Sequence, residues 1–261
     1  MDFKDFQAGV PHDHFWVQAK RDFVKQTLEQ QNISKAAKIL DVGAGVGDDI
    51  KMLASFGSLY VVDIDPQVLA HVPHEFITEV RVADICILPY PDSFFDVIVC
   101  FDVLEHVSDD RRAVIELQRV LKPGGKLFFT VPAYQCLFGQ HDVTLGHYRR
   151  YTKQRVNNLF AALQLEQQAL SHWFSVLFVP AALSRFMHKN NDKAGMKPLG
   201  RILNKLLYAI VSCENFLIRC GVRFPLGLSV WGVYRKQAQA GQHEETSCVR
   251  VVQRDGKEVS L

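Results

Sequence analysis

The run ILDVGAGVGDD at residues 39–49 constrains the chain more than any other feature, because a short apolar strand opens into glycines at 43, 45 and 47 and then into a helical pattern. Glycine accepts positive φ and carries no Cβ, so a loop of this kind brings backbone N–H groups close to a ligand at the start of a helix. Strand, glycine turn and helix form half of a β-α unit, and the pattern continues. Lys38–Val42 is strand one, and residues 48–55 read as its helix, closed by Gly57. Residues 59–64 (LYVVDI) form a second strand, 79–82 a third and 95–101 (FDVIVCF) a fourth, whose unbroken apolar character marks a strand covered on both faces. Pro123-Gly124-Gly125 turns into a fifth strand at 126–131. Such alternation predicts an α/β fold with a parallel sheet.

Helical spacing of Trp16, Ala19 and Phe23 predicts a leading amphipathic helix over 15–30. Ser108, followed by Asp109 and Asp110, is read as a helix start, with Leu117, Val120 and Leu121 as the apolar face. Thr152 caps another helix carrying Val156, Leu159, Phe160 and Leu163. Beyond it come an apolar segment at 173–187, a polar linker at 189–200 and a helix whose stripe is Leu203, Leu206, Leu207, Ile210 and Leu217. Residues 228–234 (LSVWGVY) return to strand character, read as an antiparallel edge, and the polar stretch after Arg235 reads as a flexible tail.

Composition excludes several classes. With 30 Lys+Arg against 28 Asp+Glu and a net charge of +2, bulk electrostatic binding of nucleic acid is not expected, and only Arg111-Arg112 and Arg149-Arg150 form local basic pairs. Six cysteines without a C-x-x-C pair read as reduced core residues of a cytoplasmic protein, Cys213 and Cys220 among them. The N-terminus lacks the layout of a signal peptide. The longest apolar stretch, residues 173–183 with Pro180 inside it, is too short to cross a bilayer but leaves peripheral membrane contact open.

The glycine spacing also discriminates between ligands. A dinucleotide fingerprint would place its third glycine at position 48, where Asp48 stands and would repel a pyrophosphate, so NAD is disfavoured. Asp41 at the strand end suits a ligand with an ammonium group instead. Asp63, closing the second strand, can accept both hydroxyls of a ribose.

Taken in order, these residues resemble the class I S-adenosylmethionine-dependent methyltransferases, specifically their type 11-like group. Further segments agree: Ala83-Asp84-Ile85 after strand three, FDVLEHV at 101–107 and VLKPGGKLFFTVP at 120–132. The resemblance covers most of residues 38–132. It implies a Rossmann-like, seven-stranded, mostly parallel sheet with helices on both faces and a helical insertion before the last strand. It also implies S-adenosyl-L-methionine as cofactor, with S-adenosyl-L-homocysteine as product. Asp41, Gly43, Gly45 and Gly47 would face its methionine part, Asp63 with Ile64 the ribose, Asp84 and Ile85 the adenine, and Phe101 the sulfonium side. The domain organisation expected is one methyltransferase domain over 1–236, with a leading helix at 13–31, a cofactor-binding core at 38–132, a substrate-side segment and helical insertion at 133–220, and a tail at 237–261.

Residues 132–152 follow strand five at the sheet edge where open α/β folds bind ligands, and they gather Tyr134, His141, Asp142, His147, Arg149, Arg150 and Tyr151. This cluster resembles a subgroup with a His-Asp, Gly-His and Arg-Arg-Tyr-Thr series. Catalytic roles are expected for His141 as general base, with His147 or Asp142 orienting it or the substrate, and substrate contacts for His106, Tyr134, Arg149, Arg150 and Tyr151. The alternatives are that these residues tie a long loop together and that an arginine pairs with Asp142. No recognised ligand spacing is present, so no metal site is expected. The expected activity is O-methylation of a small or lipid-linked, glycan-type acceptor. Two alternatives stay open: a quinone-like or other aromatic acceptor, and a non-catalytic cofactor- or partner-binding module.

Overall fold

The computed structural model describes Gln7, residues 9–187 and residues 199–238. Seven strands form one sheet: β1 (Lys38–Val42), β2 (Ser58–Asp63), β3 (Glu79–Val82), β4 (Phe95–Phe101), β5 (Leu121–Pro132), β6 (Leu165–Trp173) and β7 (Ser229–Lys236). Their order is β3-β2-β1-β4-β5-β7-β6. The first five pair in parallel, whereas β7 runs antiparallel to both β5 and β6. The order reverses between β1 and β4, so their C-terminal ends open a crevice.

The helices are α1 (Phe15–Glu29), α2 (Ile50–Ala54), α3 (Pro66–Leu69), α4 (Asp110–Val120), α5 (Gln140–Leu145), α6 (Lys153–Phe160), α7 (Phe178–Met187) and α8 (Arg201–Arg219). They cover the sheet on two faces, each with its own apolar core. On one face α1 sends Phe23 against Trp173, with centroids 4.5 Å apart, and Trp16 against Phe174 at 3.6 Å. On the other, α4 buries Ala113, Val114 and Leu117, and α6 stacks Phe160 on Phe129 and Tyr234.

Several expectations need correction. Residues 228–234 do not form an edge: β7 lies inside the sheet, and the edge is β6, which the sequence pattern concealed. Residues 166–168 of β6 are exposed, so the strand lacks the alternation that marks a half-buried strand. Asp109, not Ser108, caps α4, accepting from Arg112 N–H. The buried face of α8 is Val211, Glu214, Asn215 and Ile218 rather than the leucine stripe, and Leu203, Leu206 and Leu217 are exposed. Polar anchors account for the rotation. Asn215 Oδ1 accepts from Trp173 Nε1 at 2.7 Å, Asn215 Nδ2 donates to Ala19 O at 2.9 Å, and Glu214 accepts from the backbone N–H of Ser175 and Val176. Cys100 is buried, but Cys136, Cys213 and Cys220 are exposed and Cys86 is half-buried, so the cysteines are not uniformly core residues. Most of the 189–200 linker, most of the 237–261 tail and Cys248 lie outside the described residues. Among those described, no helix is long and apolar enough to cross a membrane.

Candidate active site

Strand β1 ends at the glycine loop, where Gly43, Gly45 and Gly47 have φ of 74°, 54° and 80°. A Cβ on Gly43 would lie 2.4 Å from Val103 Cγ2, and one on Gly47 would lie 2.8 Å from Pro73 Cδ, so both positions require glycine for space as well as conformation. Gly43 N–H is held by Val62 O at 2.8 Å, tying the loop to β2. Asp41 is buried at the strand end, and burial together with the nearby Asp49 charge pushes its carboxyl up to about 7. Asp63 closes β2 and accepts from Asp65 N–H at 2.9 Å, and burial raises its carboxyl as well.

A cavity of about 1150 Å³ lies over the C-terminal ends of the parallel strands. Asp41, Gly43, Gly45, Asp63, Ile64, Asp84, Ile85 and Phe101 all line it, so eight of the nine residues expected on the cofactor side surround one space. Gly47 stands behind the loop and is not among the lining residues. Asp84 Oδ1 accepts from Cys86 N–H at 2.8 Å, which fixes the short loop after β3. Asp48 lines the cavity too, with His12 Nδ1 2.6 Å from its carboxylate.

On the opposite wall, His106, His141, His147 and Arg150 line the same cavity, whereas Tyr134, Asp142, Arg149 and Tyr151 do not. Asp142 is fully buried and receives Arg150 Nε at 2.8 Å, Arg150 Nη2 at 3.0 Å, His147 Nδ1 at 2.9 Å and Gly139 N–H at 2.9 Å. Burial alone would raise this carboxyl, but the His147 and Arg150 contacts hold it well below the usual carboxylate range. Arg149 pairs with Asp110 at 2.9 Å and donates to Ser108 O at 2.6 Å. Tyr151 is fully buried, its hydroxyl on Leu104 O and Asp110. Tyr134 Oη lies 2.9 Å from His172 Nε2. Both arginines therefore carry carboxylate partners from the protein itself, and the segment after β5 is braced by the residues expected to touch substrate.

Lys20 and Glu105, given no role from the sequence, also line the cavity. Lys20 reaches from α1 to Asp102 at the end of β4. The signal was available, since Lys20 falls between Trp16 and Phe23 at helical spacing and so sits on the buried face. Glu105, in the loop after β4, is 1% exposed, and its Oε2 has no hydrogen-bond partner. Burial, and then the Asp102 charge, push its carboxyl well above the usual range. Its ligand atom, with those of His106 and His147, lies in a group whose members are all within 4.8 Å of one another.

A family model described as a methyltransferase domain matches residues 40–129, the segment that builds the loop, β2 to β4 and most of β5. The ubiquinone/menaquinone biosynthesis C-methyltransferase UbiE of Francisella philomiragia is 34% identical over 137 residues, 47% of this chain and 54% of its own length. The ubiquinone biosynthesis O-methyltransferase of Coxiella burnetii is 35% identical over 109 residues, 40% of this chain and 47% of its own length. The chain thus spans about half the length of these curated relatives. Among solved structures, the [4+2]-cyclase SpnF shares the fold, with a TM-score of 0.57 at 22% identity over 85% of this chain and 83% of its own. Residues 40–129 thus match a methyltransferase-domain family model, and the strand order and the glycine loop with its acidic partners agree with that similarity.

Proposed function

We propose that the protein transfers a methyl group from S-adenosyl-L-methionine to an oxygen of a small or lipid-linked acceptor. One observation carries this reading: the glycine loop, Asp63, Asp84 and Phe101 share a single cavity with His106, His141 and His147. Methyl transfer from a sulfonium is an in-line displacement, so the protein's task is to align the acceptor and exclude water. A hydroxyl nucleophile also has a proton to lose, and His141 on α5 is the general base of this proposal. His147, held through Nδ1 by Asp142, lines the same cavity.

Between the acceptor classes, the cavity supports an apolar body over a polar glycan. Trp16, Leu145, Ala181, Leu199, Leu207 and Leu228 contribute to its wall, and Arg149 and Arg150 are already neutralised by Asp110 and Asp142. A phosphate clamp from that pair therefore has little support. The two relatives, both named for ubiquinone biosynthesis, favour a quinone-like or aromatic acceptor as well. A cytoplasmic location and peripheral membrane contact belong to this proposal.

Because the fold alone also serves a [4+2]-cyclase, the test is transfer and not only binding. Incubation with methyl-labelled S-adenosyl-L-methionine and two panels, catechol-type phenols and lipid-linked sugars, should give an alkali-stable methyl ether from the phenols. Label found on sugar hydroxyls would restore the glycan reading. No transfer to either panel, with cofactor bound, would favour the non-catalytic module.

A further inference from the structure

We propose that Glu105, His106 and His147 form a binding site for a divalent transition-metal ion at the acceptor end of the cavity. No ligand spacing announces it in the sequence, because Glu105 and His106 lie in the loop after β4 and His147 follows α5. Folding brings the ligand atoms of the three within 4.8 Å of one another, with the two imidazoles perpendicular and their centroids 4.5 Å apart. Bond lengths of about 2.0–2.1 Å to a first-row ion require ligand atoms roughly 3–4 Å apart, so side-chain adjustments of about 1 Å complete the shell.

Two independent features favour a cation here. Glu105 is 1% exposed, and its Oε2 is buried with no hydrogen-bond partner, an arrangement that costs free energy unless a positive charge or a donor arrives. His147 is already oriented as metal-binding histidines are: a buried carboxylate, Asp142, accepts from its Nδ1 at 2.9 Å and is itself fixed by Arg150, so Nε2 is the ring nitrogen left for an ion. Asp102, nearby, is excluded as a ligand by its pairing with Lys20 and Thr130. Two imidazoles and one carboxylate suit a borderline ion such as Zn²⁺, Co²⁺ or Fe²⁺ rather than Mg²⁺ or Ca²⁺, and three protein ligands leave coordination positions open to the cavity.

Cation binding stands on these side chains alone, but the ion's role rests on the reading proposed above. Coordination of the acceptor hydroxyl would lower its pKa, and its proton passes to His141, the base of that reading. The oxygen then forms the new O–C bond as the C–S bond of the sulfonium breaks, its electron pair remaining on sulfur in S-adenosyl-L-homocysteine.

The test is titration of tag-free, chelator-treated full-length protein with Co²⁺ alone, followed by visible absorption and by metal analysis after gel filtration. The expected result is one Co²⁺ per chain with ligand-field bands, affinity at least tenfold lower in Glu105→Gln and in His147→Gln, and affinity unchanged in His71→Ala. S-adenosyl-L-homocysteine binding, measured on the same samples, reports whether each variant keeps its fold and tests the cofactor reading separately. If Glu105→Gln loses the nucleotide as well, His106→Gln replaces it as the deciding variant. Absence of Co²⁺ uptake by the wild type, or equal uptake by wild type and the ligand variants, overturns the site.

Discussion

Lys20 Nζ lies 2.6 Å from Asp102 Oδ2, joining the helix that precedes the sheet to the end of its fourth strand beneath the cavity. Asp102 holds a φ of 55° and also accepts from Thr130 Oγ1 at 2.9 Å. Burial alone would lower the Lys20 pKa, yet Asp102 outweighs it and the lysine titrates above its ordinary value. Lys20→Met leaves the aspartate without its cation. Because Asp102 is 35% exposed, the expected loss is about 1–3 kcal/mol, below the range for a fully buried pair. A urea unfolding curve measures it, and an unchanged midpoint would mean that the pair contributes nothing.

Asp63 is the second acid to test. A carboxylate that accepts both ribose hydroxyls makes charge-assisted hydrogen bonds, each contributing about 1.5–3 kcal/mol. Asp63→Ala should weaken S-adenosyl-L-homocysteine binding tenfold or more, with the fold retained. Calorimetric titration decides it, and equal affinity in wild type and variant removes the assignment.

Asp41 links stability to pH. Its carboxyl titrates at about 7 in the folded chain, where it faces Asp49, Lys20 and Asp63, and at ~3.9 when unfolded. Between those values the folded state holds the extra proton, so this group's contribution is complete below about pH 4 and is lost as pH rises through 7. The ceiling is about 4 kcal/mol. Asp41→Asn should therefore raise the melting temperature at pH 8 and change it little at pH 4. A cofactor ammonium, by contrast, prefers the ionised acid, so wild-type affinity should rise between pH 6 and 8 and that rise should vanish in the variant. A variant that melts like wild type at both pH values would show that Asp41 carries no such linkage.

His141 separates binding from chemistry. His141→Ala is expected to leave cofactor affinity intact and to lower turnover about 10²–10⁴-fold, the usual contribution of a positioned base. Turnover equal to wild type on a reactive acceptor would assign the base elsewhere.

Asn215 tests the polar anchor of α8. Asn215→Ala removes the partners of both Trp173 Nε1 and Ala19 O inside the core. The expected cost is about 2–3 kcal/mol, read by chemical unfolding. Loss of less than about 0.5 kcal/mol would mean that water replaces the amide.

The parallel half of the fold was legible because β1, β2 and β4 are near-continuous apolar runs bounded by glycine or an acid, from KILDV to FDVIVCF. The same regularity located Asp41, Asp63 and Asp84 at strand ends. β6 was hidden by its exposed Glu166 and Gln167, and α8 by leucines that face outward while Glu214 and Asn215 face in. Side-chain partnership was the harder part. An arginine paired with Asp142 was one alternative in the sequence, but that Arg150 takes it and Arg149 goes to Asp110 is decided by tertiary distances that no spacing encodes. For the same reason Glu105, His106 and His147 show no motif in the chain yet meet in space.

Calorimetric titration of the purified protein with S-adenosyl-L-methionine, S-adenosyl-L-homocysteine and NAD decides which nucleotide the cavity takes. One site per chain for each of the two sulfur nucleotides, and no heat from NAD, is the result expected from the glycine loop, Asp48 and Asp63. Binding of NAD instead, or of none of the three, would contradict the account.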